Sequence, residues 1–280
     1  MFAAIQEING QSNRRDGDMK QSMMTCLVAA VFGAWVSAPA FAGSQEIQSD
    51  QAAAAASLST SAPPGSNFNL KPWTLQLPTG SSGSVTTVNG DSLAAGYTNQ
   101  YYFYTDKSDG SMVMMDPRQG WTTSGSQHPR TEMRENATWS TSGTNRLDAT
   151  VTVAQVPKTT TIGQIFQGSG PSKPLCELQV TSGGVAQLFI EDTNQGGSGQ
   201  TYSIANVTIG KSFTYELSLS GTRITAKING TSKSFTMDSS FDGESFYFKA
   251  GDYDQSAVSG TPLTTPGTVV KFYALSLTHG

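Results

Sequence analysis

Cysteine is almost missing from this 280-residue chain, which has only Cys26 and Cys176. Cys26 falls in an N-terminal segment that reads as a removable signal. The mature chain then keeps one thiol, so no internal disulfide can form and stability has to come from the core. The neighbours of Cys176 suggest no base, and it reads as a half-buried structural thiol. Histidine is equally scarce, with only His128 and His279. No His/Asp/Glu cluster has metal-ligand spacing, and neither a metal nor a cofactor is expected. A basic excess is lacking too: 17 Lys+Arg stand against 21 Asp+Glu. The segment up to Ala42 removes three of each, leaving 14 against 18 and a net charge of −4. A nucleic-acid partner would ask for a basic footprint. Any anion site must therefore be a local cluster set against the overall charge.

The stretch "MKQSMMTCLVAAVFGAWVSAPAFA" from Met19 has the layout of a secretory signal. Lys20 supplies the positive end, a short apolar run follows, and Ala40-Phe41-Ala42 is a small-x-small cleavage site. No stop-transfer pattern follows, so no membrane partner is expected after cleavage, and the product is read as secreted or periplasmic. Residues 1–42 are thus an upstream extension and signal. Residues 43–66, with five consecutive alanines and Pro63-Pro64-Gly65, read as a low-complexity linker in which the prolines end any helix. Residues 67–280 form one domain-sized unit, expected to be a monomer.

That unit reads as all-β. No segment after the linker sustains a helical period with proper caps. Alternating or β-branched runs recur instead, among them "LDATVTV" (147–153), "FTYELSL" (213–219) and "RITAKI" (223–228). Turn pairs separate them, including Asn89-Gly90, Asp109-Gly110 and Asn229-Gly230. Many strands and short turns in one domain predict a two-sheet β-jelly-roll sandwich with a concave substrate-binding groove.

Three stretches carry chemistry. In "RTEMRE" (130–135) an extended chain puts Arg130, Glu132 and Arg134 on one face, with Thr131, Met133 and Glu135 opposite. In "YFKAGDYDQ" (247–255), Tyr247, Lys249, Gly251, Tyr253 and Gln255 share a face, while Phe248, Ala250, Asp252 and Asp254 take the other. In "GQIFQ" (163–167), Gln164 and Phe166 face opposite to Ile165. Two guanidinium groups and an ammonium on such faces describe either a solvated surface or a cleft for something negatively charged.

These segments resemble the signature strands of the alginate lyases of polysaccharide lyase family 7, which show R-x-E-L-R, Q-[IV]-H and Y-F-K-A-G-x-Y-x-Q in that order. "NFNLKPWTLQLPTG" (67–80) and "VVKFYALSLTH" (269–279) resemble the family's first and last strands, so the likeness spans almost the whole domain. The resemblance implies a jelly roll that binds an acidic polysaccharide and cleaves it by β-elimination. It also implies that Tyr253 is the catalytic tyrosine, and that Gln164 and Arg130 bind the uronate carboxylate. Glu132, Arg134, Tyr247, Lys249 and Gln255 would line the groove. The chemistry suits the residue types. Donors on the carboxylate stabilise the enolate formed when C5 loses its proton, and a base and an acid serve C5 and O4. A tyrosine of ordinary pKa near 10 is a weak base, and the nearby Lys and Arg are expected to lower that value.

The family histidine of the second motif is replaced here by Phe166. One reading is a non-catalytic, lectin-like protein that still binds polyuronate. The other is a lyase confined to mannuronate-rich alginate or glucuronan, where H5 and O4 lie on one side of the ring and a single tyrosine serves both. His279 is expected to be inert. His128 is read as a surface histidine at a strand end that could replace the imidazole. Glu132 is expected to be the only carboxylate on the groove faces, which argues against a hydrolase with paired carboxylates.

Overall fold

Period-two alternation decides which face of each strand is buried. In the strand Asn145–Gln155, Leu147, Ala149, Val151 and Val153 enter the core while the residues between them are less buried. The computed structural model describes residues 58–280. The signal and the start of the linker lie outside the described residues.

Seventeen strands follow one another among the described residues. The first six are β1 (Trp73–Ser81), β2 (Ser84–Val88), β3 (Phe103–Thr105), β4 (Met112–Pro117), β5 (Gln119–Gly120) and β6 (Thr131–Glu135). Next come β7 (Asn145–Gln155), β8 (Thr159–Gln167), β9 (Pro174–Thr181), β10 (Val185–Glu191), β11 (Gly199–Asn206) and β12 (Ser212–Ser220). The last five are β13 (Arg223–Ile228), β14 (Thr231–Thr236), β15 (Phe246–Asp254), β16 (Val258–Ser259) and β17 (Pro266–His279). Eight form one sheet in the order β11-β10-β9-β8-β15-β6-β1-β2 and seven a second, β14-β13-β12-β7-β17-β4-β3. The core, with Trp73, Phe103, Phe213, Tyr215, Phe248 and Phe272, draws on both sheets, as the jelly-roll sandwich requires.

Packing against the core is present before residue 67 among the described residues. Leu58 packs against the core, and the Asn67 amide donates to the Ser59 and Gly110 carbonyls at 2.8 and 3.1 Å. Pro64–Asn67 is a short helix, α1, rather than a break. Proline is tolerated at the first helical position because that N–H has no partner within a helix anyway. Asn89-Gly90 is likewise not a hairpin turn: Asn89 caps a second short helix, α2 (Gly90–Ala94), by accepting from the Ser92 N–H. Asn229-Gly230 does join β13 to β14, with φ of 47° and 86°.

The centre of the eight-stranded sheet positions the polar residues. β15 pairs with β6 through Lys249↔Arg134 and Gly251↔Glu132, and with β8 through Tyr247↔Phe166 and Lys249↔Gln164. Gly251 permits the close approach, since an added Cβ would lie 2.5 Å from the Glu132 Cα. The β15–β8 register shifts between Ala250 and Tyr253. β8 shifts against β9 between Thr161 and Gly163, where the Tyr215 hydroxyl takes the Ile162 carbonyl at 3.0 Å.

Behind this centre, Asp116, Asp252 and Asp254 are fully buried. Asp252 Oδ1 accepts from the Thr160 and Thr268 hydroxyls at 2.6 Å each, and its Oδ2 from the Asp116 N–H at 3.1 Å. Asp116 Oδ2 accepts the Asp254 N–H at 2.9 Å, whereas its Oδ1 has no partner. Burial, and then the charge of Asp252, lifts the Asp116 carboxyl well above the usual range; burial raises Asp252 to about 7. The folded chain therefore binds these protons more tightly than the unfolded chain does. Their stabilisation is complete below about pH 4, where unfolded carboxyls titrate, and declines as pH rises toward about 7. Asp116→Asn removes the repulsion and keeps an amide oxygen for the Asp254 N–H. We expect its thermal midpoint to exceed that of the parent by about 2–4 °C near neutral pH, equivalent to ~1 kcal/mol. The gain should disappear toward pH 4 in a thermal-denaturation series; an equal gain at both ends would mean that the Asp116 charge is not its source.

Candidate active site

Glu132 is the hub. It points from β6 to the outer face of the sheet, is 1% exposed, and is still held ionised. Arg130 Nη1 reaches its Oε2 at 2.8 Å and Lys249 Nζ reaches the same oxygen at 3.1 Å. The Gln164 amide donates to Oε1. Burial alone would push the Glu132 carboxyl up; Lys249 and Arg130 override it, and the value is lowered. Lys249 moves the other way, lowered to about 8 by its own burial and by Arg130, with Glu132 opposing.

Aromatic rings lie under the cations. The Arg130 Cζ is 3.7 Å from the centroid of the Tyr253 ring, Arg134 Cζ 4.2 Å from Tyr247, and Lys249 Nζ 4.5 Å from Phe166. Phe166 and Tyr247 are themselves neighbours, 5.4 Å between centroids. Arg130, Arg134, Lys249, Phe166 and Tyr247 line one cavity of about 340 Å³, closed on one side by Thr123–Ser126. A larger cavity, about 450 Å³, opens beside Glu191 and Tyr202 and contains none of these cations.

Arg130, Glu132, Arg134, Gln164, Phe166, Tyr247, Lys249 and Tyr253 are all brought together. Ile165 is fully buried in the core and Phe166 faces the cavity. Gln164, also 1% exposed, spends an amide hydrogen on Glu132 and lies beneath the surface of the site. Gln255 stands farther along, donating to the Thr161 hydroxyl at 2.9 Å.

Several expectations need correction. Tyr253 is not a phenol of lowered pKa: burial raises it, and Arg130 and the Ser126 hydrogen bond only partly offset that. Glu132 is not the only carboxylate on this face. Glu177 of β9 pairs with Gln164 and accepts from Thr161 and Gln179 at 3.0 Å each; burial raises its carboxyl. Cys176 is fully rather than half buried, its thiol pushed up to about 12. His279, expected to be inert, has a structural part, its ring bridging Asn145 and Glu135 at 2.8 Å each. His128 lies outside β6, in the preceding loop. Its Nδ1 donates to the Ala257 carbonyl at 2.6 Å, which leaves Nε2 as the open nitrogen, and its ring is 6.1 Å from that of Tyr253.

Ser126 was missed altogether. Its hydroxyl accepts from Arg130 Nη2 at 2.8 Å and lies 3.2 Å from the Tyr253 oxygen. A serine in "TTSGSQHPR" carries no spacing signal, and only the folded loop reveals it.

Because Glu132 neutralises two buried cations, Glu132→Gln should be costly beyond the loss of one contact. We expect ~3–5 kcal/mol of lost unfolding free energy by denaturant titration, the usual result of stranding one side of a buried ion pair. A loss below ~1 kcal/mol would show that the cations are solvated without it.

A family profile described as "Alginate lyase" matches residues 68–279. An alginate lyase from Klebsiella pneumoniae is 25% identical, over 78% of this chain and 91% of that protein. The crystal structure of alginate lyase A1-II', a member of polysaccharide lyase family 7, superposes with a TM-score of 0.69 at 29% identity, covering 78% of this chain and 99% of that one. Variants of A1-II' have been crystallised with a GGG product and a GGMG substrate. An alginate lyase from Pseudomonas aeruginosa superposes with a TM-score of 0.67 at 25% identity, covering 75% and 99%.

Proposed function

This chain belongs to the alginate lyase family of polysaccharide lyases, and we propose that it is a secreted lyase that cleaves mannuronate-rich alginate or glucuronan through Tyr253. The observation that carries the reading is the convergence at Arg130. Its guanidinium lies across the Tyr253 ring and borders the cavity that Arg134 and Lys249 also line. A proton-transfer group and carboxylate-binding groups thus meet at one place.

The proposed course is a syn elimination. The uronate carboxylate sits against the donors of Arg130 and Gln164, with Arg134 and Lys249 beside it, which stabilises the enolate that develops as C5 loses its proton. The Tyr253 phenolate takes that proton. The C5 electron pair forms the C4=C5 double bond, the C4–O4 bond breaks, and the same proton passes from Tyr253 to the departing O4. The net change is one unsaturated uronate end and one new hydroxyl. Tyr253 is a phenol in the resting chain, and a rise in pH favours the reactive form. Activity should therefore increase above neutrality, until Lys249 loses its charge near about pH 8 and weakens the anion site.

Phe166 supports the choice of substrate. Its ring fills the cavity wall over Lys249 and against Tyr247. It can neither donate to the carboxylate nor hold a proton, so guluronate, whose H5 and O4 lie on opposite sides, lacks a second group there.

Tyr253→Phe should lower turnover at least ~10²-fold, read from absorbance of the unsaturated product, while polymer binding persists; near-normal turnover would refute the role of Tyr253. Binding without new absorbance in the parent protein would favour the lectin-like alternative. The product profile on polymannuronate, polyguluronate and glucuronan tests the preference. We expect little guluronate cleavage by the parent and more by Phe166→His; robust parental cleavage of polyguluronate would overturn the assignment and direct attention to His128. Arg130→Lys should impair activity because an ammonium cannot bridge Glu132 and Ser126 and stack on Tyr253 at once.

A further inference from the structure

The Ser126 hydroxyl has more partners than it can serve together. It donates to the His128 carbonyl at 2.8 Å, accepts from Arg130 Nη2 at 2.8 Å and at longer range from the His128 N–H at 3.4 Å, and has the Tyr253 oxygen at 3.2 Å. A serine hydroxyl has one hydrogen and two lone pairs. With the hydrogen on the His128 carbonyl and one lone pair on Arg130, the remaining lone pair faces the nearer Tyr253 hydroxyl and the more distant His128 N–H, and toward Tyr253 it can only accept. The resting phenol hydrogen then points at Ser126, and the free lone pairs of Tyr253 are left for the groove.

Resting on the reading of Tyr253 as the proton-transfer group, we propose that Ser126 is a positioning residue for it, turning its single hydrogen from the His128 carbonyl to the Tyr253 oxygen whenever that oxygen becomes a phenolate. In the phenol state Ser126 accepts. Once Tyr253 has given its proton to solvent, nothing donates to the phenolate from that side unless the serine hydrogen swings across by rotation about Cβ–Oγ. No covalent bond changes in this step, and the His128 carbonyl is left without its donor for that interval. When the phenolate takes the C5 proton, the hydrogen returns to His128 and the phenol is free to protonate O4. Arg130 holds the serine oxygen in place throughout while stacking on the ring it serves.

The groups that set the charge environment of Tyr253 are Arg130 and Glu132 of the hub, Glu177 from β9, and the neighbouring His128 ring. Arg130 favours the phenolate and the two carboxylates oppose it. Ser126 is the neutral donor within hydrogen-bond reach of the Tyr253 oxygen.

The test titrates Tyr253 directly, as the tyrosinate absorbance difference between each protein and its Tyr253→Phe counterpart. Ser126→Ala should move the midpoint up by about one to two pH units, the usual worth of one hydrogen bond to an ionised group. It should also lower kcat on polymannuronate about 10- to 100-fold, with KM little changed. Ser126→Thr, which keeps the hydroxyl, should restore the parental midpoint. If Ser126→Ala does not fold, Ser126→Cys, a weaker donor, is read in the same way. A midpoint that stays in place, whatever turnover does, would reduce Ser126 to a loop fastener and overturn the proposal, as would a threonine variant with the alanine midpoint. The two readings fail separately. A Tyr253→Phe protein that keeps turnover removes Tyr253 and the relay together. An inactive Tyr253→Phe protein with an unmoved Ser126→Ala midpoint removes only the relay.

Discussion

The buried carboxylate of Glu132 is the constraint on which the outer face of the eight-stranded sheet depends. Two cations cannot remain charged under a protein surface without a counter-charge, because the desolvation of each is large. Glu132 supplies it to Arg130 and Lys249 through a single oxygen and uses the other to orient Gln164. The three partners come from the residue just before β6, from β15 and from β8. The hub therefore requires the strand register that sets Gly251 against Glu132 and Lys249 against Gln164. Shifting any of these strands by one residue would bury the cations among Met133, Ile165 and Ala250 instead.

A second layer builds on that hub. With charge balanced below, the guanidinium and ammonium groups lie over aromatic faces, Arg134 at the exposed edge. Such packing fixes long side chains that would otherwise lose rotamer entropy on meeting a ligand, which is the sense in which a site is preorganised. Phe166 belongs to this layer. Its ring supports Lys249 and Tyr247 and offers no proton chemistry.

What the sequence discloses follows from what local patterning can encode. Alternation in "RTEMRE" and "YFKAGDYDQ" was sufficient to place Arg130, Glu132, Arg134, Lys249 and Tyr253 on one face, since a strand has only two faces. The pairing of those strands with each other is a long-range fact, and it decided that Glu132 and Gln164 are buried partners. Glu177 escaped notice because β9 shows no signature beyond apolar alternation. Ser126 escaped because loops have no period at all. The lowered pKa expected for Tyr253 weighed charge without burial, and burial was the larger effect. Pro64 was read as a breaker by residue type, although its place at the first turn of α1 makes it compatible with a helix.

The distribution of acid and base within the fold explains how a chain of net charge −4 can present an anion site. Asp116, Asp252 and Asp254 are gathered behind β15, in contact with β4 and β17, where hydroxyls, backbone N–H groups and Arg118 hold them. The inward side chains of Asp252 and Asp254 follow from the same alternation in "KAGDYDQ" that sends Lys249 and Tyr253 outward. One strand therefore carries carboxyls on its inner face and the cation and phenol on its outer face. Burial raises the carboxyls of Asp116 and Asp252, so that they bind protons more readily than an exposed pair would. A less negative interior opposes the outer cations less, and it lets Arg130, Arg134 and Lys249 project a positive field into the cavity. The alternation of a single nine-residue strand thus separates charge across the sheet, and an acidic polymer meets only the outer side of that separation.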